Sequence, residues 1–364
     1  STQGYSSAAS DVYKRQGLDS IKGLKEYVQS KEYRKALGLP KEQQESYELL
    51  AQGEYNRNYY FVHPVTEKEL LLRVNCGSQM HLEHQIEYEA HALEMLSSSG
   101  RTPKVLYVDG SKRRLAHGIL VMEYLPGHVL DYRTESELAA ECLADIHSVR
   151  LKEMEQYLIK PEGALEAILT ECEEMFRVYE ESEFGDENKK KKIRNLLKQG
   201  WEKAKKTKLV CPYYCCINTE LNSTNFLING KGKKNYLIDW EKPLYGDPAQ
   251  DLGHFLAPTT TFWKTDVILT RQEMDEFVET YIAGVNGRFS TEGLKERVYA
   301  FVPITCLRGI TWCAMAWVQY QAPDKLIFNE STLHKLEQYL EESFLDRIET
   351  VSYTHLRAHE TSAH

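Results

Sequence analysis

A change of character at Pro126–Gly127 constrains this chain more than any other feature. Before it, short apolar runs alternate with turns. After it, most long segments carry helical spacing. Tyr59, Phe61 and Val62, then Leu70 to Val74, form two strand-like runs joined by a polar turn, which is a hairpin signature. Gln79 to Ser99 follows as a helix, with Ile86, Ala90, Leu93 and Leu96 at helical intervals. The runs KVLYVD and GILVMEY add two strands. The pattern predicts β-β-α-β-β after a helical stretch over 18–51 that breaks at Pro40. Downstream, helices are expected over 134–150, 164–182 and 188–206. Two short strands, NFLI and NYLID, flank the turn NGKGKK, and 250–347 is mostly helix. No internal repeat is visible. Strands gathered early and helices late make an α+β, bilobal chain. A β-rich N-lobe is expected over 17–125 and a larger helical C-lobe over 126–350.

Composition removes several function classes. The chain has 364 residues, 42% hydrophobic and 27% charged, ordinary for a globular protein. A net charge of −9 argues against nucleic acid as the main partner, although it would suit a cationic small molecule. The run Lys189 to Lys192 closely follows acidic residues between Glu180 and Glu187, so it reads as a solvated helix start. The eight cysteines show no disulfide spacing and no secretory signal precedes them, which points to reduced thiols in the cytoplasm. CPYYCC lacks a paired CxxC and a nearby His, so free thiols are expected there rather than zinc. The apolar stretch TCLRGITWCAMAWV reads as a buried core helix too short to cross a bilayer, and no membrane partner is expected. The end segments, 1–16 and 351–364, lack apolar periodicity and resemble translated sequencing-adapter read-through. They are set aside from fold reasoning.

The chemistry-bearing residues lie in order along the chain. INTELNSTNFLI places Glu220 five positions before Asn225, and a hairpin later IDWE puts Asp239 at a strand end. Phosphoryl transfer needs a carboxylate near the acceptor hydroxyl and oxygen ligands that hold magnesium against phosphates. An acid, a following Asn and a strand-end Asp meet that need if a hairpin folds them together. A polar turn followed by an ordinary Asp is the plain alternative. Upstream, Gly53-Glu54-Tyr55-Asn56 begins the hairpin, where backbone N–H groups could line a phosphate. Arg73 lies mid-strand in LLLRVN, and a charge there needs a partner. The following helix offers Glu89, with Glu87 as second choice. VMEYLPG reads as a hinge strand whose backbone near Glu123 and Leu125 could hold adenine.

This ordered set resembles the aminoglycoside phosphotransferase and choline kinase-like family, of protein-kinase-like fold. The resemblance covers roughly residues 45–330. The family's catalytic loop, H-x-D-x-x-x-x-N, is matched by Asn218, Glu220 and Asn225, its metal-binding Asp by Asp239 and its strand lysine by Arg73. GDPAQDLGHF resembles the segment that follows, with Asp247 and with Asp251 as a structural tie between the loop and the helical lobe. The resemblance implies ATP or GTP as donor, Mg2+, and a small hydroxyl-bearing acceptor such as an aminoglycoside, choline or a sugar. Glu220 and Asn218 would form the catalytic loop, and Asn225 and Asp239 would hold the metal. Gly53, Tyr55, Asn56, Arg73, Glu89, Glu123 and Leu125 would contact the nucleotide. Two departures stand out. Asn replaces the loop His, and Glu, one methylene longer, replaces the catalytic Asp. A misplacement near 1 Å can cost roughly 100-fold in rate. A nucleotide-binding pseudokinase is therefore the runner-up. A kinase acting on protein ranks last, because no activation-loop insertion separates Asp239 from Asp251. Trp263, Trp312, Trp317 and Tyr320 would suit an amine acceptor as an aromatic wall, but their helical spacing fits core better.

Overall fold

The computed structural model describes residues 17–53, 55–323 and 330–360, with side chains as far as Val351. The chain divides into two compact units that do not follow chain order. The first comprises the described residues to Ile159, then Cys215–Tyr245 and Glu279–Phe289. Its elements are helices α1 (Leu24–Val28), α2 (Lys31–Leu37), α3 (Gln85–Leu96) and α4 (Ser136–His147), with strands β1 (Glu48–Gln52), β2 (Asn56–Val62), β3 (Glu69–Asn75), β4 (Val105–Asp109), β5 (Gly118–Glu123), β6 (His128–Val129), β7 (Cys215–Ile217), β8 (Phe226–Ile228) and β9 (Tyr236–Leu237). A five-stranded antiparallel sheet runs in the order β1-β2-β3-β5-β4.

Side chains on a strand alternate between two faces. In β2 and β3, Tyr59, Phe61, Leu70, Leu72 and Val74 join Leu24, Tyr27, Val28 and Tyr33 of the N-terminal helices in one core. The intervening residues Asn56, Asn58, Arg73 and Asn75 therefore share the opposite face. The β2–β3 register sets Asn58 opposite Arg73 and Asn56 opposite Asn75. Four polar side chains are thus gathered at one end of an otherwise apolar sheet.

The helical stretch expected over 18–51 is corrected at its end, because β1 occupies Glu48–Gln52. Leu49, Leu50 and Ala51 favour helix in isolation. Antiparallel pairing with β2, through a bulge between Leu49 and Ala51, overrides that preference.

The second unit comprises Lys160–Tyr214, Gly246–Val278 and the described residues from Ser290 onward. It is helical: α5 (Ala164–Glu180), α6 (Glu187–Lys206), α7 (Pro248–Leu256), α8 (Pro258–Thr265), the start of α9 (Arg271–Val285), α10 (Leu294–Tyr320), α11 (Glu330–Tyr339) and α12 (Glu342–Glu360). Helix α10 lies against α5, α6 and α7. Gly253 permits the α7 contact, because a Cβ there would stand 2.6 Å from Phe301 Cβ. The sequence underestimates α10. It is 27 residues long, enough by length and composition to cross a membrane, yet 67% of its apolar window is buried. Its buried surface agrees with a core helix.

Candidate active site

Arg73 anchors the site from the sheet. Its Nη1 donates to Glu89 Oε1 of α3 at 2.5 Å, and its Nε donates to Asn58 Oδ1 at 3.0 Å. Asp239 Oδ1 lies 3.7 Å from the same Nη1. Burial works against the Arg73 charge, but Glu89, Asp239 and Glu241 outweigh it and hold the guanidinium firmly protonated. Glu89 is pushed above the usual carboxylate range by burial, opposed by Arg73. Its second oxygen is buried with no hydrogen-bond partner among the described residues.

The β8–β9 hairpin delivers the acidic residues. Asn225 directly precedes β8 and Asp239 follows β9, and Phe226 pairs with Leu237. Ile238 N donates to Asn225 O at 2.8 Å, which closes the hairpin base. Asn225 Nδ2 donates to Glu220 O at 2.9 Å, whereas its Oδ1 is buried without a partner among the described residues. Asn218 is fully buried. Its Nδ2 donates to Asp239 O and its Oδ1 accepts from Glu220 N, both at 2.9 Å. Asn218 is thus a brace between the two acids, with both ends of its amide committed to backbone.

Glu220, Asp239 and Glu241 bring carboxylate oxygens within 4.8 Å of one another. Asp239 adopts a left-handed backbone at φ 67°, as does Thr219 at φ 70°. Neither has glycine's freedom, so the surrounding bonds must hold this strain, a pattern concentrated at functional sites. Burial pushes the Asp239 carboxyl well up, Glu241 adds to the rise, Arg73 opposes it and Glu220 adds again. Lys242 Nζ forms an ion pair with Glu220 and donates to Gln79 Oε1 at 3.0 Å. Glu241 is 4% exposed and accepts from Asn56 Nδ2 at 2.5 Å. An apolar cavity lined by Leu50, Leu71, Met122 and Ile238 ends at Arg73 and Asp239.

The structure brings Glu220, Asn218, Asn225, Asp239, Arg73 and Glu89 together. Asn56 joins them through Glu241 rather than through the turn backbone. Gly53 N is committed to Asn56 O at 2.8 Å, so it presents no free turn amide as expected, and the Tyr55 ring lies against Gly77. Glu54 lies outside the described residues. Glu123 ends β5 and its Oε2 accepts from Lys104 N at 3.1 Å. Leu125 is buried with Leu227 and Ile238 beside the cavity's Ile238. Asp251 is fully buried on α7. Trp263 meets Trp312 edge to face at 5.3 Å, and Trp317 meets Tyr179 at 6.0 Å, as core aromatics do. All eight cysteines are free thiols.

Sequence reasoning missed Lys242, Asn58 and Gln79, and left Glu241 ambiguous. The period of two in NRNYY, with polar residues at 56 and 58 opposite Arg73, was the available signal for Asn58. The three clustered carboxylates form a hard, all-oxygen donor set, which fits a magnesium-like divalent cation, and Asn225 on the same hairpin has a buried oxygen with no hydrogen-bond partner among the described residues.

Residues 46–296 match the phosphotransferase enzyme family. The chain belongs to that family. It is a phosphotransferase of protein-kinase-like fold. Three solved structures resemble this phosphotransferase at low identity. Spectinomycin phosphotransferase, solved with ADP and spectinomycin, is 13% identical at TM-score 0.60, covering 93% of this chain and 98% of that one. Plasmodium vivax ethanolamine kinase is 14% identical at TM-score 0.59, covering 92% and 95%. A microcompartment-associated aminopropanol kinase is 17% identical at TM-score 0.60, covering 88% and 97%. A search of curated protein sequences finds no match.

Proposed function

We propose that this phosphotransferase moves the γ-phosphoryl group of ATP or GTP, with Mg2+, to a hydroxyl group of a small hydroxylated amine. One observation carries the reading: three carboxylates converge within 4.8 Å of one another, and the hairpin that carries Asp239 also carries Asn225, whose buried Oδ1 has no hydrogen-bond partner among the described residues. Such a set is unfavourable by itself and becomes favourable around a divalent cation. The acceptor class follows the similar structures, whose names give spectinomycin, ethanolamine and aminopropanol as the molecules concerned. The net charge of −9 suits a cationic acceptor.

Each residue has a role in this reading. Arg73, with two N–H groups used by Glu89 and Asn58, has donors left for phosphate oxygens. Leu50, Leu71, Met122 and Ile238 would enclose the base. Asp239, Asn225 and Glu241 would hold the metal, which when bound offsets charge on the donor phosphates. Glu220 would accept the proton of the acceptor hydroxyl as its oxygen bonds to phosphorus and the bond to the leaving nucleotide diphosphate breaks. Lys242 beside it favours the ionised carboxylate that this requires. Glu220 thus takes the place of the shorter Asp with a cation of its own, which favours an active enzyme over a pseudokinase.

The test is acceptor-stimulated release of ADP or GDP by purified full chain across ethanolamine, aminopropanol, choline and spectinomycin. Turnover with at least one is expected, falling roughly 100-fold in Glu220→Gln. Silence across the panel, with nucleotide hydrolysis no faster than buffer, would sink the reading.

A further inference from the structure

The chain that leads out of Asp239 is held by side chains rather than by a sheet. Residues 238–243 lie in no strand or helix, so their carbonyls must find partners elsewhere. Asn218 Nδ2 donates to Asp239 O at 2.9 Å. Gln85 Nε2 donates to Glu241 O at 2.7 Å, Thr219 Oγ1 to Lys242 O at 2.8 Å and Tyr88 Oη to Pro243 O at 2.5 Å. Two elements supply these donors. Asn218 and Thr219 belong to the loop that leads to Glu220, whereas Gln85 and Tyr88 belong to α3. Their bonds alternate along the segment, since Lys242 O goes to the loop and the carbonyls on either side of it go to α3.

The two α3 donors are themselves fixed. A carbonyl can only accept, so Gln85 must turn Nε2 to Glu241 O, which leaves its Oε1 to accept from Ser78 Oγ at 2.5 Å. Tyr88 Oη gives its proton to Pro243 O and accepts from Ile159 N at 3.1 Å. Ile159 O in turn accepts from Tyr245 N at 2.9 Å, so the Tyr88 hydroxyl is bonded to the segment at Pro243 and, through Ile159, at Tyr245. Gln85, Tyr88 and Glu89 stand at spacings of three and four, which places them on one face of α3. Glu89 on that face holds Arg73. Little more than one turn of helix therefore holds both the cation of β3 and the main chain that carries Asp239 and Glu241.

We propose that Gln85 and Tyr88 are positioning residues for the cation site: by holding the Glu241 and Pro243 carbonyls they fix how Asp239 is presented beside Arg73. This rests on the phosphotransferase reading for the identity of the ion and the nucleotide, but not for the bonds that hold the segment. Asp239 has a left-handed backbone at φ 67°, which costs energy in a residue other than glycine. A segment strained at one end keeps that conformation only if the chain beyond it is tied. The carbonyl bonds from α3 supply the tie, and neither side chain that makes them takes part in the reaction itself.

The experiment is Mn2+ binding to the full chain with saturating ADP, followed by electron paramagnetic resonance, alongside ADP binding in EDTA by calorimetry. Residues behind metal ligands typically govern affinity by about 10–100-fold. Tyr88→Phe, which removes the hydroxyl and keeps the ring, is expected to weaken Mn2+ about tenfold. Metal-free ADP affinity should hold, since Glu89 and Arg73 keep their bond. Gln85→Met, of similar length without the amide, is expected to do the same, so either variant decides the matter if the other fails to fold. A purely structural role would lower the melting temperature and leave Mn2+ affinity where it was. The loss should also shrink when Tyr88→Phe is placed on Asp239→Asn, because the ligand being positioned is already impaired. Unchanged Mn2+ affinity in the folded variants, an equal loss of metal-free ADP binding, or the same fold-loss with and without Asp239→Asn would overturn the proposal, as would wild-type protein that binds no Mn2+. Mn2+ binding that depends on Tyr88 in a protein without acceptor turnover would instead retain the positioning role and remove the phosphotransfer reading.

Discussion

Two buried charge sites in this enzyme are built in opposite ways. In the helical unit, Asp247 and Arg297 are each about 5% exposed and form a closed pair. Asp247 Oδ1 caps α7 through Ala249 N at 2.8 Å, Oδ2 accepts Arg297 Nε at 2.7 Å, and Arg297 Nη1 donates to Glu292 O at 2.6 Å. One acid meets one base, and their main polar atoms are taken. The carboxylate cluster in the sheet-containing unit brings three acids within 4.8 Å of one another, with a strained Asp239 backbone and, on the same hairpin, an Asn225 oxygen that has no hydrogen-bond partner among the described residues. Charge that serves the fold is neutralised within the fold. In the proposed reading, the carboxylate cluster is completed by a divalent cation that the chain does not itself supply.

That contrast breaks most visibly at Asp247. Removing one partner of a buried pair leaves the other uncompensated, at about 3–5 kcal/mol. Asp247→Ala should lose about that much in urea denaturation while Mn2+ affinity of the folded protein holds. A loss below about 1 kcal/mol would show that the pair is not the closed structural unit described.

How much of this was legible in the sequence depends on the kind of residue. Glu220, Asn225 and Asp239 were readable because a hairpin of fixed length brings its two ends together, so spacing along the chain became spacing in space. Arg73 and Glu89 were readable because a charge inside an apolar strand demands a partner. Asn58 and Lys242 were missed because their roles depend on which strand lies beside which and on how far a loop carries a side chain. Glu241 could be seen but not assigned, since a Glu beside Trp240 looks the same whether it faces core or cation. The β1 strand was misread as helix because its pairing partner, rather than its own residues, decides its conformation.

The helical unit holds one exception that sharpens the comparison. Lys203 Nζ on α6 is buried with no hydrogen-bond partner among the described residues. Burial pulls its pKa down from 10.5 to about 8, slightly countered by Cys306. Both folded and unfolded lysine are charged below about pH 8, so the cost of burying that charge is fully present there. It is relieved as pH rises from about 8 to 10.5. The drop corresponds to ~3 kcal/mol. Lys203→Met should gain up to about that at pH 7 in urea denaturation, and the gain should shrink towards pH 10. An equal gain at both pH values would mean that apolar contact rather than charge is responsible.

Asp239 should behave in the reverse sense, and here the open site is tested directly. Its folded carboxyl titrates above the ordinary range, first through burial and then through Glu241. Such a group contributes stability below the ordinary carboxylate range, and that stability is lost as pH rises through the folded value. Cation-free wild-type enzyme should therefore melt at lower temperature as pH is raised from acid towards neutral. Asp239→Asn should flatten this slope while weakening Mn2+ roughly 100-fold, as loss of a charged oxygen ligand implies. An unaltered slope would place the titration elsewhere.

The smallest expected effect comes from Arg73→Lys, which restores the residue that the family resemblance leads one to expect. Lysine can still pair with Glu89, and its charge still lies near Asp239. It has no counterpart of Nε, so Asn58 Oδ1, now accepting at 3.0 Å, would lose its donor. An unsatisfied buried acceptor costs about 1–3 kcal/mol, part of which the more flexible lysine can recover by bending towards it. We expect nucleotide KM to rise by about tenfold, with kcat changed less, in steady-state assays. Replacing the acceptor as well, in Arg73→Lys with Asn58→Leu, should recover stability but not KM, because the planar fork to which the proposed function gives the phosphates is still missing. Full recovery of KM in that double variant would mean that Arg73 was chosen to satisfy Asn58 rather than to grip phosphate, and would move it from the open site to the closed, structural kind.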